Sequence, residues 1–141
     1  MTRDDLQQWL DRYVEAWRTY DPEQISGLFA EDVVYRYHPY DAGDEVLTGR
    51  ENVVSSWLEP DGNASDRDAA GTYGAKYEAY AVDGNRAVAT GWSTYWTDAS
   101  RTTVQDTYDN VFLIEFADDS RARRFTEYFM KRPRERIESG T

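Results

Sequence analysis

Four side chains in this sequence have the chemistry to move a proton or hold an oxygen: His38, Glu127, Tyr13 and Asn110. His38 is the single histidine, and imidazole exchanges protons more readily near neutral pH than other side chains. It lies in "VVYRYHPYDAG", residues 33–43, between Tyr37 and Pro39 at the end of an alternating run. Glu127 has Phe125 and Phe129 two positions to either side, so a strand would carry the carboxyl between two apolar rings. Desolvation there raises a carboxyl pKa, which is how a general acid or base near neutrality is made. Tyr13 and Asn110 offer a phenol and an amide that could polarise a substrate oxygen. Each has a structural alternative. His38 could bond the turn that follows, Glu127 could pair with Arg124 or Arg36, Tyr13 could be an aromatic core residue, and Asn110 could satisfy nearby backbone.

The rest of the composition narrows the chemistry. One histidine and no cysteine among 141 residues leave carboxylates alone as ligands, so no metal is expected. Neither a Gly-rich phosphate loop nor a Gly-x-Ser-x-Gly turn is present, and no cofactor is expected. Asp+Glu 27 against Lys+Arg 16 gives a net charge of −11, which repels phosphate backbones and anionic lipid; no nucleic acid and no membrane partner is expected. The absence of cysteine and of an apolar leader in residues 1–20 makes the cytoplasm the expected location. With Trp 5, Tyr 11 and Phe 5, the aromatic share reaches 15%; Tyr and Trp join an apolar body to a polar edge, which suits a half-polar pocket.

The elements that must position these groups follow from periodicity. Leu6, Trp9, Leu10, Tyr13, Val14 and Trp17 recur at helical spacing, with Thr2 or Asp4 as cap. A short helix over about residues 22–30 starts at Asp21-Pro22, and from Asp32 a strand alternates until Pro39. Residues 41–49 read as loop. "GRENVVSSWLEP" is a helix with Val53, Val54, Trp57 and Leu58 on its apolar face, and "DGNASDRDAAG" is a mobile surface loop or a lid. Four strands follow in meander order, the first two joined at Asp83-Gly84-Asn85. The expected fold is α+β: a curved antiparallel or mixed sheet wrapped around three N-terminal helices, forming a cone with an internal pocket. Residues 1–132 form the single domain and 133–141 a charged tail, whose basic residues Lys131, Arg132, Arg134 and Arg136 read as partners in salt links. Alternation assigns Tyr108, Asn110, Phe112, Ile114 and Phe116 to the cavity face of one strand and Phe125, Glu127 and Phe129 to that of the next.

This order of elements resembles the nuclear transport factor two superfamily, in its SnoaL-like and ketosteroid isomerase-like branches. The resemblance covers nearly the whole chain, and its most specific stretch is residues 12–32, where Arg12, Tyr13, Val14, Ala16, Asp21, Ile25, Leu28, Phe29, Ala30 and Asp32 fall at the spacing of steroid isomerases. It implies that Tyr13 stands where those enzymes keep the tyrosine that bonds the enolate. His38 precedes a proline as their base does, with Tyr37 competing for the place because this strand is one residue longer. Their late aspartate corresponds to Phe112, or to Asp109 on a bulged strand. A second likeness, to limonene epoxide hydrolase, matches Glu127 to one of its acids but finds neither its Arg nor its partner Asp in "GWSTYW". SnoaL itself is a polyketide cyclase.

The resemblance therefore implies a small-molecule pocket protein, possible activities being cofactor-free isomerase, cyclase or hydrolase chemistry on a small apolar, carbonyl-bearing substrate. The alternative is a non-catalytic ligand-binding or dimerisation module. His38, Glu127 and Tyr13 are the catalytic candidates; Trp17, Tyr35, Tyr37, Trp57, Trp92, Trp96, Tyr108, Asn110, Phe112 and Phe125 are the expected ligand-binding residues. The expected partners are a small apolar or aromatic ligand and a second copy of the chain, meeting across the outer sheet face at Thr126, Tyr128 and Met130.

Overall fold

The computed structural model describes residues 1–58 and 72–136. The segment read as a loop or lid, 61–71, and residues 137–141 of the tail lie outside the described residues. Helix α1, Arg3–Thr19, begins where the Thr2 hydroxyl accepts from the Asp5 N–H and the Asp5 carboxylate accepts from the Thr2 N–H. This reciprocal capping fixes the helix start at Thr2 rather than Asp4. Its stripe of Leu6, Trp9, Leu10, Tyr13 and Ala16 is buried. Helix α2, Pro22–Leu28, is capped by Asp21, which accepts from the Glu23 and Gln24 N–H groups.

Sequence periodicity carried α2 to residue 30, but Phe29 leaves the helix to pair with Ala122. Strand β1 therefore runs Phe29–Arg36, starting earlier and ending sooner than alternation indicated. Its end is set by Asp41, whose carboxylate accepts from the His38 N–H and draws the chain into a turn. The expected loop 41–49 holds a 3-10 turn, Gly43–Glu45, and a two-residue strand β2, Leu47–Thr48, antiparallel to β1. Two residues cannot reveal an alternating pattern, so this strand exists only through its partner. Helix α3, Arg50–Leu58, follows and buries Val53 and Trp57.

Strands β3 (Tyr73–Asp83), β4 (Arg86–Trp96), β5 (Val104–Phe116) and β6 (Ala122–Lys131) form the meander. Gly84 takes the left-handed backbone (φ 61°) in the two-residue β3–β4 turn, a conformation that glycine adopts without steric cost. The sheet order is β2-β1-β6-β5-β4-β3, antiparallel throughout except for parallel β1 and β6. Register shifts at Ala79/Ala81, Tyr95/Trp96 and Glu115/Phe116 mark where strands bend. The inner face packs on α1. Ala79, Ala87 and Ala89 on β3 and β4 are small enough for α1 to come close, while Phe112, Phe116 and Phe125 fill the wider side with no exposed surface to speak of. Truncating one such phenylalanine costs about 3–5 kcal/mol. Gln7 of α1 secures the edge strand, its amide bonding the Tyr77 carbonyl (2.9 Å) and the Ala79 N–H (3.0 Å), groups that an open edge would leave unpaired. No helix among the described residues is long and apolar enough to cross a membrane.

Candidate functional site

Helix α1 ends at Thr19 while β4, β5 and β6 continue beyond it, so the inner sheet face is left uncovered at one end. The opening is a cleft of about 380 Å³. Trp17 and Tyr20 close one side; Ser93 and Tyr95 come from β4, Gln105, Asp106, Tyr108 and Asn110 from β5, and Glu127 and Phe129 from β6. Tyr20 is the C-cap of α1 and takes a left-handed backbone (φ 54°), with its N–H donating to the Ala16 carbonyl. That conformation is uncommon for a bulky residue. Here it turns the tyrosine ring to the cleft, edge-on to Trp17.

Glu127 sits on the floor. Burial pushes its carboxyl up to about 7, because the charged form loses water without gaining a cation. Among the described residues it forms neither an ion pair nor a hydrogen bond; Arg124 instead approaches Glu115, at 3.9 Å. Four buried tyrosines feel its charge. Tyr13, Tyr35, Tyr73 and Tyr77 are all held above the ordinary phenol value, mainly by burial and further by Glu127 and by one another. They are therefore neutral phenols at any physiological pH.

Asn110, 3% exposed, lies diagonally across the β5–β6 register from Glu127. Its Nδ2 donates to the Tyr77 hydroxyl and to the Ser93 hydroxyl, both at 3.0 Å, while its Oδ1 is buried without a partner. A buried amide oxygen left unbonded costs about 1–3 kcal/mol, so a ligand bringing a donor would relieve it. Gly91 makes this arrangement possible. A Cβ there would stand 2.1 Å from the Lys76 carbonyl and 2.5 Å from the Tyr77 ring, and only the bare backbone lets that ring lie across β4 toward Asn110.

A second cleft, of about 650 Å³, is lined by the outward side chains Val111, Tyr128 and Met130, by Phe129, and by the His38–Tyr40 loop; Glu127 and Asn110 line it as well as the first. His38 Nδ1 lies 3.0 Å from the carboxylate of buried Asp41; its ring stacks on Tyr40 and tilts against Phe129.

A model of the SnoaL-like domain matches residues 10–125. The chain belongs to that family. Among solved structures, this SnoaL-like chain resembles an NTF-2 like protein of unknown function from Burkholderia xenovorans LB400, with TM-score 0.62 and 16% identity over 98% of this chain and 94% of that one. At that identity the likeness concerns the fold alone. A comparison with curated proteins gives no match.

Of the residues singled out in the sequence, the SnoaL-like cleft brings together Glu127, Trp17, Tyr108 and Asn110. Tyr13 lies beneath it at 2% exposure, packed on Trp9, Trp57, Phe112 and Phe125. Tyr35, Trp57, Phe112 and Phe125 are wholly buried in the core below. Tyr37 turns inward, its ring against Tyr35 and its hydroxyl 2.8 Å from Ser56 of α3. His38 lines the second cleft, which Glu127 and Asn110 also line, and is absent from the wall of the first. Trp92 alternates with Gly91 and Ser93 onto the outer face, opposite Asp109, and Trp96 carries Arg101 over its ring at 4.4 Å; neither lines the Glu127 cleft. Asp109 also faces outward, gripped by both guanidinium donors of Arg132, so it does not stand beside Tyr13 as the isomerase comparison would require. The other basic residues near the C-terminus are engaged within the chain too, Lys131 with Asp106 and Arg134 with the Gln105 carbonyl.

Sequence reasoning missed Tyr20, Ser93, Tyr95, Gln105 and Asp106 as cleft wall, whereas Phe129 lines it as its parity predicted. Ser93 and Tyr95 share the parity of Gly91 on β4, so alternation contained that signal. Nothing in the sequence indicated the backbone turn that aims Tyr20.

Proposed function

We propose that this SnoaL-like protein binds a small, largely apolar, carbonyl-bearing molecule in the cleft over Glu127 and moves a proton on it without a cofactor. The observation that carries this reading is the Glu127 carboxyl itself, raised to about 7 and without a protein partner among the described residues. Near neutral pH such a group is divided between its two forms, so it can take a proton from carbon as a carboxylate or deliver one as an acid. Ser93 supports the second half of the step: its oxygen accepts from Asn110, and its O–H, which lies beside the Tyr77 hydroxyl, can rotate to donate to an enolate oxygen. Tyr13 is buried beneath the floor and shapes it rather than touching ligand. His38 is bonded to Asp41 and lines the second cleft, which it shares with Glu127, rather than the cleft assigned to the ketone.

The test is deuterium exchange next to the carbonyl of 2-tetralone in heavy water, followed by NMR. Native protein should accelerate exchange, with a rate that rises as pH passes through about 7, and Glu127→Gln should lose about 100-fold or more of the acceleration. No acceleration by native protein, or equal acceleration by the variant, would count against proton transfer. Binding of the ketone without exchange would instead support the ligand-binding module.

The same proposal includes a homodimer across the outer sheet face, where Val111, Leu113, Tyr128 and Met130 are 37%, 42%, 42% and 75% exposed. A contiguous apolar strip of that kind on a sheet face invites a partner. Light scattering should give twice the chain mass, and Leu113→Arg should give the single mass; a native monomer would remove the dimer.

A further inference from the structure

The Glu127 cleft has a charge pattern that the carbonyl reading does not use. Two acceptors belong to its floor, the Glu127 carboxyl and, just below the surface, the unbonded Oδ1 of Asn110. They are diagonal neighbours on adjacent strands, about 7 Å apart at the backbone, so one small group can lie between them. The walls present the rings of Trp17, Tyr20, Tyr95, Tyr108 and Phe129. Asp106 adds a second carboxylate at the rim, paired with Lys131. No Lys, Arg or His is among the described residues lining this cleft.

We propose that the cleft is a site for a small apolar molecule bearing a protonated amine, whose ammonium is the counter-charge that Glu127 lacks. An ammonium has donors only, which matches a floor with two acceptors. It is attracted to aromatic faces by the ring quadrupole. It also returns to the carboxylate the stabilisation that burial removes, and the net charge of −11 draws cations toward the opening. An anionic ligand meets the reverse at each point. The inference rests on the cleft being a small-ligand site, not on proton transfer by Glu127. The protonated form of Glu127 suits a carbonyl and the ionised form an ammonium, so a bound amine blocks the group that would act on the ketone.

The groups facing Glu127 are Tyr13 from α1, Tyr35 from β1, Tyr73 and Tyr77 from β3, Asp106 across the cleft, and His38, which shares the second cleft with it. The tyrosines remain neutral, Asp106 pairs with Lys131 and His38 pairs with Asp41 outside this cleft, so comparison with Glu127→Gln isolates the share of the pH dependence that belongs to Glu127.

The test measures binding of 2-phenylethylamine, 2-phenylethanol and phenylacetate to the full chain by calorimetry, at about pH 6 and about pH 8. At the higher pH the amine should bind about tenfold or more tighter than the alcohol, and the carboxylate should bind weakest. The preference for the amine should shrink at the lower pH. Glu127→Gln, which keeps the shape of the side chain, should abolish the preference while leaving the alcohol affinity within about threefold. Equal binding of amine and alcohol to native protein, a preference that survives in the variant, or no binding of any probe would overturn the inference. If 2-tetralone exchange depends on Glu127 while the amine shows no advantage, the amine site fails and proton transfer stands; if the amine shows its advantage and exchange is absent, the amine site stands and proton transfer fails.

Discussion

Glu127→Gln is expected to make the protein more stable than native above neutral pH and to leave it nearly unchanged at about pH 4. The unfolded chain holds this carboxyl at its ordinary 4.5, whereas the folded chain raises it to about 7. Below 4.5 the group carries its proton in both states. Between the two values the folded state keeps a proton that the unfolded state has released, so stability falls as pH rises; above about 7 the loss is complete. At about 1.4 kcal/mol per tenfold, the distance from 4.5 to about 7 corresponds to about 3 kcal/mol at most, the ceiling applying because the side chain keeps some contact with water in the cleft. Glutamine never ionises and avoids that loss.

Other carboxyls complicate the native curve. Asp5, Asp98, Asp109 and Glu115 are lowered by their hydrogen-bond partners, Thr2, Ser100, Arg132 and Arg123 respectively. They supply stability that is lost as pH falls through their folded values, the opposite trend. They are common to both proteins, so the difference between variant and native isolates Glu127. Urea unfolding of each at about pH 4 and about pH 8 measures it. An advantage for the variant that appears only at the higher pH supports the burial of an ionisable Glu127. A variant equal to or less stable than native at about pH 8, or an advantage independent of pH, refutes it.

Two further substitutions probe the support around the cleft. Gly91→Ala forces a Cβ to within 2.1 Å of the Lys76 carbonyl, a backbone atom that cannot swing aside; a loss of about 2–4 kcal/mol in urea unfolding is expected, and a neutral result would disprove the close approach of β3 and β4. Asn110→Leu removes the donor shared by the Tyr77 and Ser93 hydroxyls together with the buried, unbonded oxygen; these effects oppose one another, so thermal unfolding should move by less than about 2 kcal/mol while amine binding weakens several-fold.

Much of the architecture was legible in the order of residues because local physics specifies it. The three-and-four spacing of Leu6 to Trp17, the Asp21-Pro22 start and the Asp83-Gly84 turn each act within a few positions, and the helices and hairpin appear there. Strand parity was equally readable. It put Asn110 with Phe112 and Glu127 with Phe125 on the inner face, and the low-dielectric setting of Glu127 follows from that parity once the sheet closes over α1. The claim of Phe29 on the sheet was not readable, because its partner Ala122 is far away in sequence. Strand β2 was hidden for the same reason.

The site divides along the same line. Sequence determined which faces carry carboxyl, amide and rings, since alternation is a property of the strand alone. Tertiary structure decided which of them meet. The strand for whose inward end Tyr37 and His38 competed stops at Arg36, after which Asp41 captures the His38 backbone and ring, so Tyr37 takes the inward place and His38 faces the second cleft. Likewise, only the length of α1 relative to the meander leaves the floor around Glu127 open, and only the backbone turn at Tyr20 closes its side. Such outcomes depend on where elements stop against one another, which is a balance of long-range contacts that no local pattern encodes.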